Sequence, residues 1–307
     1  MYVNRKGRRR SPWQAEPGSP LCKRLASIAP PPAGTAFPWG LYFQSVQPAR
    51  RTAMTQDEIT PDHLWRSIRR EAECVRESDP LFGASLSAAI LDHSNLGAAL
   101  AHQIGERLGK HAADRELLTR VAREAFHAAP DLVDAASRDL QSIAVHDPAT
   151  RGLLPPLLNF KGYVALQAWR VSNWLWRHGR TDLALLLQSL SSDCLQVSIH
   201  PSATVGTSVF LDHATGIIVG SFAVIGDEVT IMQNVTIGRK HELPGRAPRI
   251  GRSVLLSSGA TILGDISIGD FAKIGAGSVV THDVPGGCTA VGVPARLTNC
   301  AEAGLPA

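Results

Sequence analysis

Branched aliphatic residues recur every six positions in the second half of the chain. The thirteen anchors of this pattern are Ile199, Val205, Leu211, Val219, Ile225, Ile231, Ile237, Ile250, Leu256, Ile262, Ile268, Ile274 and Val280. A period of six fits neither the period of an α-helix nor the alternation of an ordinary strand. It is typical of a triangular parallel β-helix, in which three short strands make one coil and each anchor points inward.

Smaller residues recur with the same six-residue period. A small or branched residue stands four positions after most anchors, as Ala203 and Val209 do, and glycine directly follows many of them, as Gly220 and Gly226 do. Glycine eases the corner between two faces of such a prism. Two residues are inserted between the anchors Leu211 and Val219. The repeat therefore predicts stacked coils with one altered corner.

The repeat is interrupted at 238–249. This segment carries four basic residues and one acidic residue, on a body that is otherwise mildly acidic. A long loop that leaves a rigid coil is more often functional than idle. We expect the loop to bind an anionic ligand.

The chain from about Thr60 to Ser191 has the pattern of helices. Thr60 is a candidate N-cap with Pro61 at the first helical position, and apolar residues then recur at steps of three and four. The stretch from Tyr163 to Trp176 predicts one amphipathic helix. We expect its tryptophans to serve packing.

These patterns predict an α+β fold class, with an N-terminal α-helical domain followed by a left-handed parallel β-helix of hexapeptide repeats. The predicted domains are a basic, Pro-rich disordered extension (1–53), an α-helical domain (54–194), the β-helix domain (195–297) and a short tail (298–307). The extension is either non-native, with Met54 as the true start, or a transit peptide.

Charge and cysteine content exclude several classes of protein. The first 53 residues hold nine of the 31 Lys and Arg residues and one of the 27 Asp and Glu residues, so the formal net charge of +4 belongs to the extension. The body therefore offers no basic face for nucleic acid. Five scattered cysteines without a CxxC pair argue against a disulfide framework and a structural zinc site. No apolar run is long enough to span a membrane.

Three groups of residues resemble the serine O-acetyltransferase family. The sequence Asp-His-Ala-Thr-Gly at 212–216 is similar to that family's active-site coil. The sequences at 146–149 and 157–163 are similar to the signatures of its helical domain. The sequences at 274–280 and 292–296 complete the match, which covers roughly residues 62–297.

The resemblance implies transfer of an acetyl group from acetyl-CoA to the hydroxyl of L-serine, giving O-acetylserine for cysteine synthesis. It also implies a homotrimer or a dimer of trimers, with the active site between neighbouring subunits. No metal is expected. A cytoplasmic location follows, or an organellar one if 1–53 is a transit peptide. The family often ends in a tail that docks into O-acetylserine sulfhydrylase, and the sequence at 304–307 predicts no such complex here.

The same resemblance assigns roles to individual residues. His213 corresponds to the base that removes the hydroxyl proton, a task that suits an imidazole near neutral pH. Asp147 and Asp212 correspond to carboxylates that hold serine, and Arg246 to a base that faces the substrate carboxylate. The residues assigned to the cofactor are Gly238, Ser258, Ala276 and Lys273, of which Lys273 is either a phosphate contact or a solvated lysine.

The chain departs from the family pattern around the acceptor. Ser198 stands where the family has an aspartate that orients the catalytic histidine, so Ser198 would do this with a neutral hydroxyl. Ala247 replaces a substrate-contacting histidine, which His241 could partly replace, and Arg239 replaces a glycine. Three alternatives follow: a serine acetyltransferase of modified efficiency, a paralogue acting on another small hydroxy or amino acid, or a weakly catalytic CoA-binding scaffold.

Overall fold

In a computed structural model, the structure describes residues 60–150, 152–239 and 246–300. A helical region is followed by a parallel β-helix, which confirms the predicted fold class. The predictions for the extension 1–53, for His241 and for the end of the tail lie outside the described residues.

The described helical region contains eight α-helices and one π-helical turn. They are α1 (Pro61–Ser78), α2 (Pro80–Leu86), the π-helical turn Ser87–Leu91, α3 (Leu96–Leu108), α4 (Ala112–Ala128), α5 (Asp131–His146), α6 (Leu154–Asn159), α7 (Lys161–Arg177) and α8 (Thr181–Leu195). Helix α8 ends one residue beyond the predicted helical domain.

The helix start predicted at Thr60 is confirmed. The Thr60 hydroxyl oxygen accepts a hydrogen bond from the backbone N–H of His63 at 3.4 Å, and Pro61 is the first residue of α1. This side chain satisfies one of the donors that every helix start leaves unpaired.

Helix α7 differs from the amphipathic helix that the sequence predicts. Every residue from Gly162 to Ser172 is buried, because α7 packs against α4, α5 and α8 on some sides and against the first strands of the β-helix on another. A helix surrounded in this way has no solvent face over these turns. The packing role of the tryptophans is confirmed, with the Trp169 indole N–H also donating to the His200 carbonyl at 3.2 Å.

The β-helix consists of short strands in three sheets. The strands are β1 (Val197–Ile199), β2 (Thr204–Val205), β3 (Phe210–Leu211), β4 (Ile217–Val219), β5 (Val224–Ile225), β6 (Thr230–Ile231), β7 (Thr236–Gly238), β8 (Arg249–Ile250), β9 (Leu255–Leu256), β10 (Thr261–Leu263), β11 (Ser267–Ile268), β12 (Lys273–Ile274), β13 (Val279–Val280), β14 (Thr289–Gly292) and β15 (Ala295–Thr298). The first sheet is β1-β4-β7-β10-β13, the second β2-β5-β8-β11, and the third β3-β6-β9-β12-β14-β15.

All thirteen predicted anchors are buried, the most exposed being Val205 at 9%. Anchors of successive coils are direct partners in the parallel sheets, as Ile199 and Val219 are in β1 and β4. Ile237 and Ile262 are paired in the same way in β7 and β10. The six-residue period therefore identifies the inner face of each strand.

A buried ion pair joins the helical region to the first coil. Arg170 of α7 donates two hydrogen bonds to Oδ2 of Asp139 on α5, at 2.7 and 3.1 Å, and Gln167 donates a third at 3.1 Å. The other carboxylate oxygen accepts the backbone N–H of Val209 at 3.0 Å, and Arg170 also donates to the Gly206 carbonyl at 2.9 Å. Both side chains are almost fully buried, so this network holds the two regions together.

The prediction that the cysteines form no disulfide framework is contradicted within the part of the chain that the structure describes. Cys288 and Cys300 form a disulfide, whereas Cys194 has a free thiol. The two bonded cysteines lie at the start and end of the hairpin β14–β15, whose antiparallel pairing brings them together. No spacing motif marks such a pair in the sequence. Among the described residues, no helix has both the length and the apolarity that crossing a bilayer requires.

Candidate active site

The altered corner of the repeat is the turn at 212–216, between β3 and β4. Its two ends are tied to neighbouring coils, since the Asp212 N–H donates to the Ile231 carbonyl and the Gly216 N–H to the Gln196 carbonyl, both at 2.8 Å. His213 has a φ of 55° and Ala214 a φ of 60°. Within the described ranges, no other two adjacent non-glycine residues both have positive φ. Residues other than glycine rarely adopt this backbone conformation, so surrounding contacts must hold the turn.

His213 points into solvent beside a carboxylate. The side chain of His213 is 71% exposed, and its Nε2 lies 3.7 Å from Oδ1 of Asp212. This distance is too long for a hydrogen bond, and the imidazole has no hydrogen-bond partner among the residues that the structure describes. The ring is therefore free to exchange a proton with a bound substrate.

The charges of two carboxylates, Asp147 and Asp212, interact at this turn. Burial raises the pKa of Asp212, the neighbouring His213 lowers it in part, and the charge of Asp147 raises it again. Like charges that share a site disfavour each other's ionised form. A cation bound between Asp147 and Asp212 would relieve this repulsion.

The turn that carries Asp147 is itself supported. Asp147 ends α5, and its carboxylate accepts the backbone N–H of Ala149 at 2.8 Å and the hydroxyl of Thr150 at 2.9 Å. A few residues after Asp147, the backbone N–H groups of Leu153 and Leu154 donate to the Glu71 carboxylate of α1, at 3.0 and 2.9 Å. Burial raises the pKa of Glu71. These bonds fix the path of the chain next to Asp147.

Ser198 is not hydrogen-bonded to His213. Its hydroxyl accepts a hydrogen bond from Nε2 of Gln188 on α8, at 3.1 Å, and its partner in the neighbouring coil is Ile218. The structure thus places Ser198 on the outer face of β1, under α8. The orienting contact expected from the sequence is absent from the described contacts of both residues.

The basic loop leaves a different corner of the prism. The His213 turn lies where the third sheet passes into the first, whereas Gly238 ends β7, where the first sheet passes toward the second. Arg246 is exposed where the described chain resumes. The structure therefore does not bring Gly238 into the same corner as His213.

Two of the family departures have structural consequences. Ala247 is 3% exposed, so its side chain cannot meet a substrate. The guanidinium of Arg239 lies 5.6 Å from the ring centre of Phe222. Burial lowers the pKa of His200, and the charge of Arg239 lowers it further. Arg239 thus adds a positive charge to the corner from which the loop leaves.

Ser258 and Ala276 lie on the same edge of the prism as His213. Successive coils are joined there by bonds from Asn234 N–H to the Thr215 carbonyl (2.7 Å), from Gly259 N–H to the Gln233 carbonyl (2.9 Å) and from Gly277 N–H to the Ser258 carbonyl (2.9 Å). We call this line of corners the His213 edge.

The lower part of the His213 edge, by which we mean the corners at Ser258 and Ala276, is open and consists of small residues. Ala276 is exposed, and a Cβ added at Gly277 would meet no atom within 4 Å. Lys273 of β12 is exposed nearby and makes no ion pair with any described residue. A thin, flexible chain with an anionic end would fit along this edge.

Two further residues contact the His213 turn, although the sequence analysis assigns them no role. Lys161, the first residue of α7, donates to the Thr215 hydroxyl at 2.6 Å and to Oε1 of Gln196 at 3.3 Å. A side chain on Gly162 would overlap the Leu211 carbonyl oxygen and the Ala214 Cβ. The signal in the sequence is a glycine in the first turn of a helix, where it has no helical advantage.

No group of three or more metal-ligating side chains comes together among the described residues. The side chains at and near the turn are the His213 imidazole, the Asp147 and Asp212 carboxylates and the Lys161 ammonium.

Two family models match the chain. "Serine acetyltransferase, N-terminal" matches residues 64–168, and "Bacterial transferase hexapeptide (six repeats)" matches residues 247–282. The serine acetyltransferase of Salmonella typhimurium is 43% identical over 237 residues, which are 77% of this chain and 87% of that protein.

Solved structures are similar over the same region. A serine acetyltransferase in complex with CoA has a TM-score of 0.75 and 39% identity, over 78% of this chain and 100% of that one. Soybean serine acetyltransferase in complex with serine has a TM-score of 0.74 and 44% identity, over 76% of this chain and 97% of that one.

Proposed function

This chain belongs to the serine acetyltransferase family, and we propose that it transfers the acetyl group of acetyl-CoA to the hydroxyl of L-serine. The observation that carries the proposal is the His213 turn, where an exposed imidazole lies 3.7 Å from the Asp212 carboxylate, which in turn feels the charge of Asp147. A base for the hydroxyl and an anionic pocket for an ammonium group are what this acceptor requires.

His213 acts as the base. It removes the proton of the serine hydroxyl as the oxygen attacks the thioester carbonyl carbon. The new C–O bond forms, the C–S bond breaks, and the proton held by His213 passes to the sulfur of the departing thiolate. The nearby carboxylate of Asp212 stabilises the imidazolium between these two steps, since their atoms lie 3.7 Å apart.

Asp147 and Asp212 hold the serine ammonium group. Burial is the main cause of the raised pKa of Asp212, and the charge of Asp147 raises it further; a cation between the two carboxylates removes this second effect. Arg246 binds the serine carboxylate, for which the planar guanidinium offers two parallel donors. Serine is thereby fixed at both of its charged groups, with its hydroxyl left toward His213.

Acetyl-CoA binds along the lower part of the His213 edge. Acetyl-CoA supplies an acetyl group that is activated as a thioester. Ser258 and Ala276 leave room for the pantetheine chain because no large side chain projects there, and Lys273 lies within the same face to meet a phosphate. Gly238 is the exception, since it lies at the other end of the β7 and β10 strands.

The assembly we propose is a homotrimer or a dimer of trimers, with each active site shared by two subunits. In one chain the His213 turn and the basic loop leave different edges of the prism, so a neighbouring subunit is needed to bring Arg246 to the site. We place the helical domain at 54–194 and the acetyltransferase domain at 195–297. Because acetyl-CoA is an intracellular metabolite, we propose a cytoplasmic enzyme.

An acceptor screen tests the proposal. The purified protein is mixed with acetyl-CoA and either L-serine, L-homoserine, L-threonine or glycerate, and free CoA is measured by thiol titration. We expect release of CoA with L-serine above every other acceptor. Turnover of another acceptor without turnover of serine would favour the paralogue, and CoA binding without any turnover would favour the scaffold.

A further inference from the structure

We propose that Lys161 is a positioning residue for the reaction, which holds the turn at 212–216 in the conformation that presents His213. The inference rests on the proposed function for its kinetic part. Lys161 does not contact His213, so it acts through Thr215 and the backbone between them.

The turn needs support from outside. His213 and Ala214 both have positive φ, a backbone conformation that is strained for non-glycine residues. The bonds within the turn span only two residues, from Ala214 N–H to the Asp212 carbonyl (2.6 Å) and from Thr215 N–H to the His213 carbonyl (2.8 Å). Such tight bonds alone do not hold a strained turn in one state.

The first turn of α7 supplies this support in two ways. The Lys161 ammonium donates to the Thr215 hydroxyl at 2.6 Å and to the Gln196 side-chain oxygen at 3.3 Å, which ties the turn to the start of β1. Gly162 lets the helix backbone approach Leu211 and the buried Ala214 more closely than any side chain would allow. The turn is thus held at Ala214 and Thr215, the two residues that follow His213.

The location of Lys161 favours a specific role over general stabilisation. A cation at a helix N-terminus is unfavourable, because the unpaired N–H groups there already carry partial positive charge. No carboxylate among the described residues pairs with Lys161 to offset this. Its hydrogen bonds to two neutral oxygens are the compensation that the structure offers.

Kinetics of matched variants test the inference. Lys161→Met keeps the aliphatic stem and removes the donors, and Thr215→Val removes the acceptor. We expect kcat to fall by about tenfold to a hundredfold in either variant, the range for a lost hydrogen bond to a charged group, with KM for acetyl-CoA unchanged. Lys161→Arg should restore most of kcat, and the double variant should be no slower than the slower single variant.

Lys110→Met is the control, since Lys110 forms an exposed ion pair with Asp193 and should leave kcat unchanged. Wild-type kcat in Lys161→Met, a change confined to KM for serine, or fully multiplicative losses in the double variant would overturn the inference. If Lys161→Met does not fold, Thr215→Val decides.

Hydrogen–deuterium exchange tests the inference independently of activity. In Lys161→Met the amides of Ala214 and Thr215 should exchange at least about tenfold faster, while amides of the neighbouring coils stay as in the wild type. Unchanged exchange at this turn would overturn the role of Lys161. A wild-type protein that acetylates no acceptor would overturn the proposed function alone, and exchange would still decide on Lys161.

Discussion

The β-helix and the helical region contribute to the site in different ways. The β-helix repeats one solution, and most of its corners are closed by backbone bonds between neighbouring coils. The His213 turn also has such bonds, but among the described corners it differs in having two adjacent non-glycine residues with positive φ, and Lys161 of the helical region donates to it. The repeat thus supplies a frame, and the corner proposed to carry the reaction is one that the helical region also contacts.

Replacing His213, the proposed base, should have the largest effect and tests the contribution of the β-helix. His213→Ala should lower kcat by about a hundredfold to ten-thousandfold, the usual contribution of a general base. Thermal stability should not change, because the side chain is largely exposed. The matched control is His282→Ala, an exposed histidine in a later coil that should leave kcat unchanged. Equal activity of the two variants would exclude His213 as the base.

Breaking the buried ion pair should act on stability. Asp139→Asn leaves the guanidinium of Arg170 buried without its charge partner, which costs about 3–5 kcal/mol of the free energy of unfolding. Denaturant unfolding followed by circular dichroism measures this loss. Asp193→Asn breaks the exposed pair with Lys110 and should cost about 0–1 kcal/mol. Similar losses in both variants would mean that Asp139 does not join the two regions.

A carboxylate at position 198 tests whether β1 can orient His213. Ser198 makes no described contact with His213, so the question is whether the longer side chain of Ser198→Asp reaches the imidazole. If it does, kcat should rise by about tenfold, because the carboxylate stabilises the imidazolium. Gln188 can still donate to the new carboxylate. Ser267→Asp, an exposed serine in β11, is the control and should have no effect. No rise in kcat would show that position 198 does not orient His213 in this chain.

The smallest expected effect is a shift in the pH dependence of serine binding. In the proposed mechanism, serine binding needs ionised Asp212. Because the pKa of Asp212 is raised, a falling pH should begin to weaken binding at a higher pH than it would with an ordinary aspartate. Asp147→Asn removes a like charge and should move this midpoint down, whereas His213→Ala removes a stabilising partner and should move it up. Calorimetry without acetyl-CoA measures both. Shifts of the same sign would contradict the assigned charges.

The sequence predicts the parts of the molecule that depend on local pattern. The thirteen anchors follow from a six-residue period, and each is buried. The cap at Thr60 follows from residue types within one helical turn. The residues around His213 were found by their resemblance to a known motif, since one exposed histidine carries no periodic signal.

The contacts that support the site could not be predicted in this way. Lys161 meets Thr215, and Glu71 meets Leu153, only because helices pack against distant turns. The hydrogen bond between Gln188 and Ser198 likewise depends on how α8 covers β1. Such pairs have no fixed spacing along the chain, and no pattern in a single sequence identifies them.

The bonds that join Asp139 and Arg170 to the first coil have a consequence for recombination between relatives. On the side of the β-helix, these bonds end on the backbone N–H of Val209 and the backbone carbonyl of Gly206. A foreign coil that follows the same path offers the same two groups whatever its side chains. A chimaera with a crossover at Gln196, between α8 and β1, should therefore keep the bonds from Asp139 and Arg170 to the first coil. The helical region of one relative could then replace that of another.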